Sequence, residues 1–227
     1  MPGLAQIRRT DSVAVILLTL TAGYVDAVGF LKLGGIYVAN MSGNSVSTGI
    51  HSVEGEWSVV LFRLWAIGCF VSALFLTRLL IDSAAPVLSG RVAAPALVVE
   101  IVLLVFFSKV KSENAGIFCA AVAMGVHTAT LNRFNGITVY TTFVTGTLVK
   151  FAEHLAEWVL RLIKREDPAT NFEGARWLLS VWAAYITGAG FGAGVFRQIG
   201  SAATLLACAG VAVVILIDLV RPLSAGV

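Results

Sequence analysis

Six long apolar stretches constrain the fold of this chain more than any other feature. A hydrocarbon core about 30 Å thick requires roughly 20 helical residues at about 1.5 Å each. The stretches of suitable length are 12–31, 57–77, 91–108, 114–132, 177–196 and 199–220. Charged residues make up only 13% of the 227 residues, whereas about 25% is usual for a soluble globule. We therefore expect an integral membrane protein, with the lipid bilayer as its main partner.

The membrane spans are expected to be helical. The short-period alternation of a membrane barrel is absent, and each backbone amide in lipid must be paired within its own segment. We interpret the first stretch, which follows Arg8 and Arg9, as a retained helix, because no convincing cleavage site follows its long apolar run. The sequence thus predicts an all-α, polytopic membrane helix bundle in a single domain over residues 1–227.

A weak internal repeat divides the chain into two halves. Residues 23–46 and 125–149 align with a one-residue gap. The matching pairs are Gly23 with Gly125, Ala27 with Ala129, Tyr37 with Tyr140, Gly43 with Gly146 and Val46 with Val149, and Ser42 faces Thr145. We predict a first repeat over 12–110 and a second repeat over 114–220.

Each half contains a hydroxyl-rich segment that is too short to cross the membrane comfortably. These segments, 36–50 and 137–149, both contain the repeated Ser/Thr-Gly motif. The second would make about 20 Å of helix, and the polar stripe after it predicts an amphipathic helix at the membrane surface. The stripe consists of Lys150, Glu153, His154, Glu157 and Arg161. We expect three spans and one short re-entrant or broken helix in each half.

The number of spans decides how the two halves are related. With three spans per half, about six in all, the second half enters the membrane from the opposite side, so the two halves are inverted. With four spans per half, eight in all, both halves enter from the same side and are parallel. The positive-inside rule gives eleven basic residues inside against four outside for six spans, and ten against five for eight. The two models are barely separated by charge. We prefer six spans on segment length, with inverted halves and both termini in the cytoplasm.

The presence of an acid at position 26 requires a physical explanation, because Asp26 lies well inside the first apolar stretch. An ionised carboxylate there costs about 2.5–3.5 kcal/mol on insertion scales. It could be protonated, pair with a buried cation such as Arg63, or line a wet cavity and bind an ion. Alternatively, Asp26 lies near an interface, at a helix end created where Gly23 breaks the segment. Its closeness to the repeated glycine favours a functional role, as a proton- or cation-coupling carboxylate.

The hydroxyl-rich segments supply further candidate ligands. Their side chains either coordinate a substrate or satisfy the free amides of a broken helix, and both interpretations remain open. A short helix beginning near Asn40 or Thr141 would aim its amino-terminal dipole toward mid-membrane. The predicted binding residues are Asp26, Asn40, Ser42, Asn44, Thr141, Thr142 and Thr145, and the predicted structural glycines are Gly23, Gly43 and Gly146.

Other polar side chains in the apolar stretches have simpler interpretations. Arg63 and Glu100 are single charges that could snorkel or lie near a helix end, and their spacing does not support a mutual pair. A proton-relay role is conceivable for His127, but a packed, hydrogen-bonded histidine is favoured. In the fifth stretch, two overlapping Gly-xxx-Gly pairs predict close helix packing. Their members are Gly188, Gly190, Gly192 and Gly194.

Several functional classes are disfavoured. The three histidines show no metal-ligand spacing, and there is no zinc-protease helix, nucleophile elbow or phosphate-cradling glycine loop. No basic stripe interleaved with exposed aromatics indicates nucleic-acid binding. We therefore expect no enzyme activity, no cofactor, no metal and no nucleic-acid partner.

Four motifs connect the chain to a known group. They are Gly23-Tyr-Val-Asp-Ala, Leu33-Gly-Gly, Val38-Ala-Asn-Met-Ser-Gly-Asn44 and Thr141-Thr-Phe-Val-Thr-Gly-Thr147. Over essentially its whole length the chain resembles the YoaK family of bacterial membrane proteins, also called DUF1275 or UPF0700. Ser42 stands where Thr is usual in the family, and His127-Thr128 stands where Gln-Asn is common. The resemblance implies about six spans in the bacterial cytoplasmic membrane, and the family has no settled activity.

The residues favour a secondary transporter or permease for an unidentified small solute, coupled to protons or another cation. In this hypothesis Asp26 is the coupling carboxylate, and the two Ser/Thr-Gly elements form a central site. The alternative is a non-transporting membrane scaffold or accessory protein, whose polar motifs only stabilise re-entrant backbone.

Overall fold

The apolar stretches form long helices in the computed structural model of the chain. The structure describes residues 9–84, 93–130, 133–134, 137–138, 142, 144–167 and 169–220. The first half contains α1 (Arg9–Lys32), α2 (Met41–Glu54), α3 (Trp57–Ala84) and α4 (Ala93–Lys109). The second half contains α5 (Glu113–Thr130), α6 (Val144–Lys164), α7 (Ala169–Ile199) and α8 (Thr204–Val220). A 3-10 turn over Gly200–Ala203 joins α7 to α8.

The prediction of a helical fold is confirmed, with one small addition between α5 and α6. Strands β1 (Arg133–Phe134) and β2 (Ile137–Thr138) form an antiparallel ladder, in which Arg133 pairs with Thr138. This ladder occupies the start of the segment that was predicted to be a short helix over 137–149. The connection between α5 and α6, within the second half, therefore contains a pair of antiparallel strands.

The described helices differ in whether they are long and apolar enough to be the predicted membrane spans. Among the described residues, three helical stretches are long and apolar enough to cross a membrane: Ser12–Lys32, Trp57–Ala84 and Ala169–Val220, with mean hydropathies of 1.9, 2.2 and 2.6. The last contains both α7 and α8. Helix α4 has 17 residues and so measures about 26 Å, just short of a typical hydrocarbon core. The count of six spans therefore stays a prediction.

Helix α2 begins where the sequence predicted a short helix. Asn40 caps it, because its side-chain oxygen accepts hydrogen bonds from the Gly43 amide at 3.4 Å and the Ser42 hydroxyl at 2.7 Å. Gly55 ends α2 in the left-handed region, with φ 77° and its amide bonded to the His51 carbonyl. Since α3 starts at Trp57, α2 and α3 form a tight helical hairpin.

One expectation about helix breaks, and one alternative considered for Asp26, are wrong. Helix α1 runs without interruption through Gly23, so Asp26 does not lie at a helix end created by that glycine. Helix α6 is continuous from Val144 to Lys164, so the predicted short helix and the predicted amphipathic helix are a single element. The polar stripe from Lys150 to Arg161 therefore lies on the same helix as the second Ser/Thr-Gly motif.

Helix pairing links the two halves of the chain. Helix α1 packs along α7, and α3 packs along α5. Within each half, α2 packs against α3 and α6 against α7. Helix α4 contacts both α5 and α8, and α8 also contacts α1. Apart from α2 and α6, each described helix therefore packs mainly against helices of the other half.

Glycines allow α1 and α7 to approach each other closely. A Cβ atom on Gly188 would lie 2.0 Å from the Leu20 carbonyl oxygen, and one on Gly23 would lie 2.1 Å from the Tyr185 carbonyl oxygen. A Cβ on Gly192 would lie 2.6 Å from the Tyr24 carbonyl oxygen, whereas one on Gly190 would meet nothing within 4 Å. One of the two predicted Gly-xxx-Gly pairs, Gly188 with Gly192, is therefore used in helix packing.

We predict that Gly188→Ala lowers the thermal stability of the protein in detergent, whereas Gly190→Ala leaves it unchanged or raises it slightly. The added methyl at position 188 would force α1 and α7 apart, at a cost of about 1–3 kcal/mol. At position 190 the methyl meets open space and alanine favours the helix. Thermal unfolding of both purified variants measures the difference, and equal melting temperatures would contradict the packing.

Candidate functional site

The Asp26 carboxylate is buried and forms hydrogen bonds through both oxygens. Its side chain is 4% exposed. Oδ1 accepts the backbone amides of Val38 and Ala39, each at 2.8 Å, and that of Asn40 at 3.4 Å. Oδ2 accepts the hydroxyl of Tyr185 at 2.6 Å. Asp26 thus connects α1 to the loop before α2 and to α7 of the other half.

The local sequence explains why a loop returns to Asp26. Gly34 and Gly35 have φ values of 61° and 91°, which favour glycine, and the Gly35 amide donates to the Phe30 carbonyl at 2.8 Å. The chain then folds back along α1, where Val38 packs against Gly29. In lipid, the free amides of such a loop are costly. The carboxylate supplies the acceptor that these amides lack, which is the physical reason for an acid in this helix.

A second group of polar side chains holds the same loop from the α2–α3 hairpin. Asn44 is fully buried; its side chain accepts the Tyr37 amide at 3.1 Å and donates to the Tyr37 carbonyl at 2.7 Å. The Arg63 guanidinium donates to the Gly35 carbonyl at 2.9 Å and approaches the Asn44 side-chain oxygen at 3.5 Å. Arg63 therefore binds loop carbonyls, and the considered Asp26–Arg63 ion pair does not form.

A cavity of about 260 Å³ lies beside Asp26, between α1 and α7. Its polar and aromatic wall comprises Asp26, Phe30, Tyr37, Asn40 and Tyr185. The rings of Phe30 and Tyr37 lie 4.7 Å apart between centroids. Small residues form much of the remaining wall: Gly23 and Ala27 from α1, and Ala189 and Ala193 from α7. The arrangement places a carboxylate next to aromatic faces in a space large enough for a small solute.

The structure brings together the predicted site residues of the first half. Asp26, Asn40 and Gly23 line the cavity. Asn44 lies behind the loop, and Ser42 donates to Asn40. A Cβ on Gly43 would lie 2.8 Å from the Tyr37 ring, so this glycine lets the ring pack against α2.

The predicted residues of the second half have other surroundings. Thr142 is buried, and its hydroxyl lies 3.0 Å from that of Thr128 on α5. Thr145 is exposed and Gly146 is half-buried, both on α6. None of these three lines the Asp26 cavity. Thr141 lies outside the described residues.

Sequence reasoning missed two partners of the buried acids. Tyr185 lies 159 positions from Asp26, and only the packing of α1 on α7 brings them together. His127 Nδ1 lies 2.8 Å from Glu100 Oε1, with both side chains fully buried. The expectation of a packed, hydrogen-bonded His127 is therefore confirmed, but its partner was not predicted. The only available signal was that each is a lone polar residue in an apolar helix.

One group of side chains could hold a metal ion by geometry alone. His51 Nδ1 lies 3.0 Å from Glu54 Oε2 and 2.9 Å from Glu56 Oε2, at the end of α2. Both glutamates are about half exposed, with a side-chain relative exposure of 53%. Such exposed groups are common without a metal, and a local ion pair at the helix end accounts for this arrangement.

Comparison with known proteins identifies the family. A family model described as "Protein of unknown function (DUF1275)" matches residues 14–217. The chain belongs to the DUF1275 family. The resemblance expected from the four motifs is thereby confirmed, and the chain is a membrane protein of this family.

Two relatives of this DUF1275 chain are named as transmembrane proteins. UPF0700 transmembrane protein YoaK of Bacillus subtilis (strain 168) is 29% identical over 146 residues, which cover 62% of this chain and 65% of YoaK, slightly less than two thirds. UPF0700 transmembrane protein RA0705 of Rhizobium meliloti (strain 1021) is 26% identical over 210 residues, covering 86% of this chain and 82% of that protein. No solved structure matches the chain at a significant level.

We predict that Asp26→Ala destabilises the loop before α2. Several amides would lose their acceptor at once, and each buried unsatisfied amide costs about 1–3 kcal/mol. Hydrogen exchange at residues 38–40, followed by mass spectrometry in detergent, should become faster by at least an order of magnitude. Tyr185→Phe should give a smaller effect, because it removes one donor and leaves the amide bonds intact. Tyr37→Phe removes a hydroxyl outside the Asp26 hydrogen bonds and serves as the control.

A second stability prediction concerns Asn44. Asn44→Ala removes both hydrogen bonds to the Tyr37 backbone and should lower the free energy of unfolding by about 1–3 kcal/mol. The matched control is Ser45→Ala, because Ser45 is exposed and bonds only to its own helix, at the Met41 carbonyl. This change should stay within about 0.5 kcal/mol of the wild type. Equal unfolding curves for the two variants would contradict the assigned role of Asn44.

Proposed function

We propose that this DUF1275 protein is a permease, a secondary transporter that moves a small solute across the bacterial cytoplasmic membrane. The observation that carries the proposal is the cavity between α1 and α7, which has a buried carboxylate in its wall. Ionisable groups inside membrane helices are costly, and they commonly mark substrate or ion pathways. The family's membrane character supports this location. The proposal includes no catalytic step, cofactor or nucleic-acid partner.

The chemistry of the cavity favours a particular kind of solute. Asp26 offers negative charge, and the faces of Phe30, Tyr37 and Tyr185 offer the electron-rich surfaces that attract cations. The described wall contains no basic side chain. We therefore expect a small solute with a positive charge or several hydrogen-bond donors, with Asp26 and Asn40 as its polar contacts.

The position of the cavity favours transport by relative movement of the two halves. One wall belongs to α1 and the opposite wall to α7, and the Asp26–Tyr185 hydrogen bond joins them. Small residues on both helices provide smooth surfaces, on which the helices could shift without large side-chain clashes. Breaking one hydrogen bond and sliding these surfaces would change access to the cavity.

We further propose that the chain has six spans in two inverted halves. The helix contacts support this architecture, because exchanging the halves maps each main contact onto another. The pair α1 with α7 corresponds to α5 with α3, and α2 with α3 corresponds to α6 with α7. The repeated glycines behave alike, since a Cβ on Gly125 would lie 2.5 Å from the Phe70 carbonyl oxygen, much as Gly23 meets Tyr185.

The proposed architecture also assigns a role to α2 and α6. If neither helix crosses the membrane, each half has three spans, and the second half is inverted. Lys164 ends α6 and Arg165 follows it, which favours the cytoplasmic side for this loop. Both termini would then be cytoplasmic.

One observation favours a second candidate function, that of a non-transporting scaffold or accessory protein. Both oxygens of Asp26 already accept hydrogen bonds from the protein, so anchoring the loop is by itself a sufficient reason for the carboxylate. In that case the cavity is a by-product of packing small residues. The two candidates differ in whether Asp26 matters for flux in a protein that stays folded.

The deciding experiment is a flux assay in reconstituted vesicles with Asp26→Asn. Asparagine keeps a side-chain oxygen for the loop amides but removes the charge, so it should fold. We expect flux of small cations, screened with tetramethylammonium, choline and polyamines, to fall at least tenfold in this variant. Asp82→Asn is the matched control, because Asp82 is an exposed residue that pairs with Arg78 on α3.

The outcomes separate the two candidates. Flux that depends on Asp26 but not on Asp82 supports a permease. A folded Asp26→Asn protein with wild-type flux, or a wild-type protein without flux for any probe under any imposed gradient, would favour the scaffold.

A further inference from the structure

Glu100 and His127 form a buried polar pair away from the Asp26 cavity. Glu100 lies on α4 and His127 on α5, and both side chains have 0% exposure. His127 Nδ1 and Glu100 Oε1 are 2.8 Å apart. The other two polar atoms, Glu100 Oε2 and His127 Nε2, have no hydrogen-bond partner among the described residues. Two unsatisfied polar atoms in a closed site are an energetic cost that a purely structural pair would avoid.

Helix packing does not require polar side chains at these positions. In the repeat, His127 corresponds to Val25, which is 1% exposed. Glu100 is the eighth residue of α4, and the eighth residue of the 17-residue helix α8 is Val211, which is fully buried. The corresponding positions of the other half therefore carry valines. A role beyond packing best explains the acid and the imidazole.

The charge of the pair limits what it can do in this environment. With one proton shared between Nδ1 and Oε1 and a second on Nε2, the pair is neutral overall. Loss of the Nε2 proton leaves the hydrogen bond in place but gives the pair one net negative charge. An uncompensated charge in a fully buried site is strongly unfavourable. Exchange of the Nε2 proton therefore requires water to reach the pair.

The other titratable groups on neighbouring helices have contacts of their own. On α1, Tyr24 donates to the Ala203 carbonyl, Asp26 binds the loop, and Lys32 donates to the Phe107 carbonyl. On α3, Arg63 binds the Gly35 carbonyl. The remaining nearby groups are thiols and an acid: Cys69 on α3, Cys119 on α5, and Cys208 and Asp218 on α8, where Asp218 accepts the Ala94 amide. No described cation on these helices pairs with Glu100.

Helix α8 lies over the pair and adds a further unsatisfied group. Cys208 Sγ lies 3.9 Å from the carbonyl of Ile101, the residue after Glu100. One turn earlier, Thr204 is 1% exposed, and its hydroxyl has no partner among the described residues. Polar atoms that lack partners are thus present on both α4 and α8.

A mostly apolar cavity lies close to the pair along the chain. It has a volume of about 240 Å³ and lies between α3, α4 and α5. Val99 and Val126, which precede Glu100 and His127 in the chain, line it together with Ile81 and Pro95. Neither Glu100 nor His127 lines this cavity. Because both side chains are fully buried, water would reach them only if α4 separated from α3 and α5.

We propose that Glu100 and His127 form the proton-binding site that couples transport to the proton gradient. This inference rests on the proposed permease function and assigns its coupling ion. A hydronium ion from one side of the membrane protonates Nε2 and leaves as water. After the change of access, Nε2 returns the proton to water on the other side. The Asp26 cavity then binds the solute, and the pair binds the proton.

Nitrogen NMR of the histidines tests the proton site without any knowledge of the solute. The chain contains only three histidines, so histidine-specific ¹⁵N labelling in lipid nanodiscs gives few signals, and His127→Gln assigns those of His127. We expect the Nε2 signal of His127 to show both a protonated and an unprotonated form when the pH is varied, because separation of the helices admits water to the pair. Glu100→Gln should displace this change, whereas His154→Gln should not. Glu100→Asp keeps the carboxylate and should retain the pH-dependent change of the His127 signal. This variant provides the comparison if Glu100→Gln does not fold.

The spectra have a clear contrary outcome. A His127 imidazole that keeps one protonation state and one tautomer at every pH in the wild type would show a structural hydrogen bond only. A His127 transition that is identical in wild type and Glu100→Gln would also overturn the proposal, since the two groups would not bind the proton as a pair.

A flux experiment separates this inference from the proposed function. The double variant Glu100→Val with His127→Val copies the valines of the other half and should fold. With the probe cation that gives Asp26-dependent flux, an imposed pH gradient should accelerate the wild type at least tenfold and leave the double variant unaffected. A full pH-gradient response in the double variant overturns the coupling role while the permease stands. If no probe is transported, the permease fails, and the His127 spectra still decide whether the pair binds a proton.

Discussion

The Asp26 carboxylate holds together parts of the chain that lipid would otherwise separate. In a bilayer, a loop can leave helical geometry only if its amides find acceptors within the protein. The loop between α1 and α2 finds them in one carboxylate, whose second oxygen binds Tyr185 in the other half. The position of the loop before α2, one wall of the cavity and one hydrogen bond between the halves therefore depend on this one side chain.

Close contact between α1 and α7 makes that arrangement feasible. Gly23 and Gly188 let backbone approach backbone, and Gly23 is one helical turn from Asp26. The same small residues leave room beside the carboxylate, because they fill little of the space between the helices. The feature that packs the two halves is therefore also the feature that forms the candidate site.

Two buried acids in this protein have contrasting environments. Asp26 accepts hydrogen bonds at both oxygens from amides and a hydroxyl, so the protein itself supplies its hydrogen-bond partners. Glu100 has a single partner, His127, and a second oxygen without one among the described residues. An acid with saturated hydrogen bonds suits the anchoring of a loop and the recognition of a solute. A partly satisfied pair that can exist in two charge states suits the binding and release of a proton.

Much of the secondary structure was predictable because its signals are local. Apolar length indicated the six long helices, and Asn40 was a recognisable start for α2, since a cap needs only the next few residues. The start of α6 was harder to predict, because hydroxyl-rich sequence is compatible with a short helix as well as with a hairpin and turn. The first-half site residues were also identifiable, since a charge or amide in an apolar context is conspicuous.

The amino-acid sequence by itself determined that this chain is a helical membrane protein and that Asp26 and its neighbours need partners. Only the tertiary structure decided which partners they have. Asp26 binds Tyr185 rather than Arg63, and Glu100 binds His127, across separations of 159 and 27 positions. The reason is physical. Hydropathy can be read from the residues of a single helical turn or span, whereas the pairing of polar side chains depends on which helix faces meet in the folded protein.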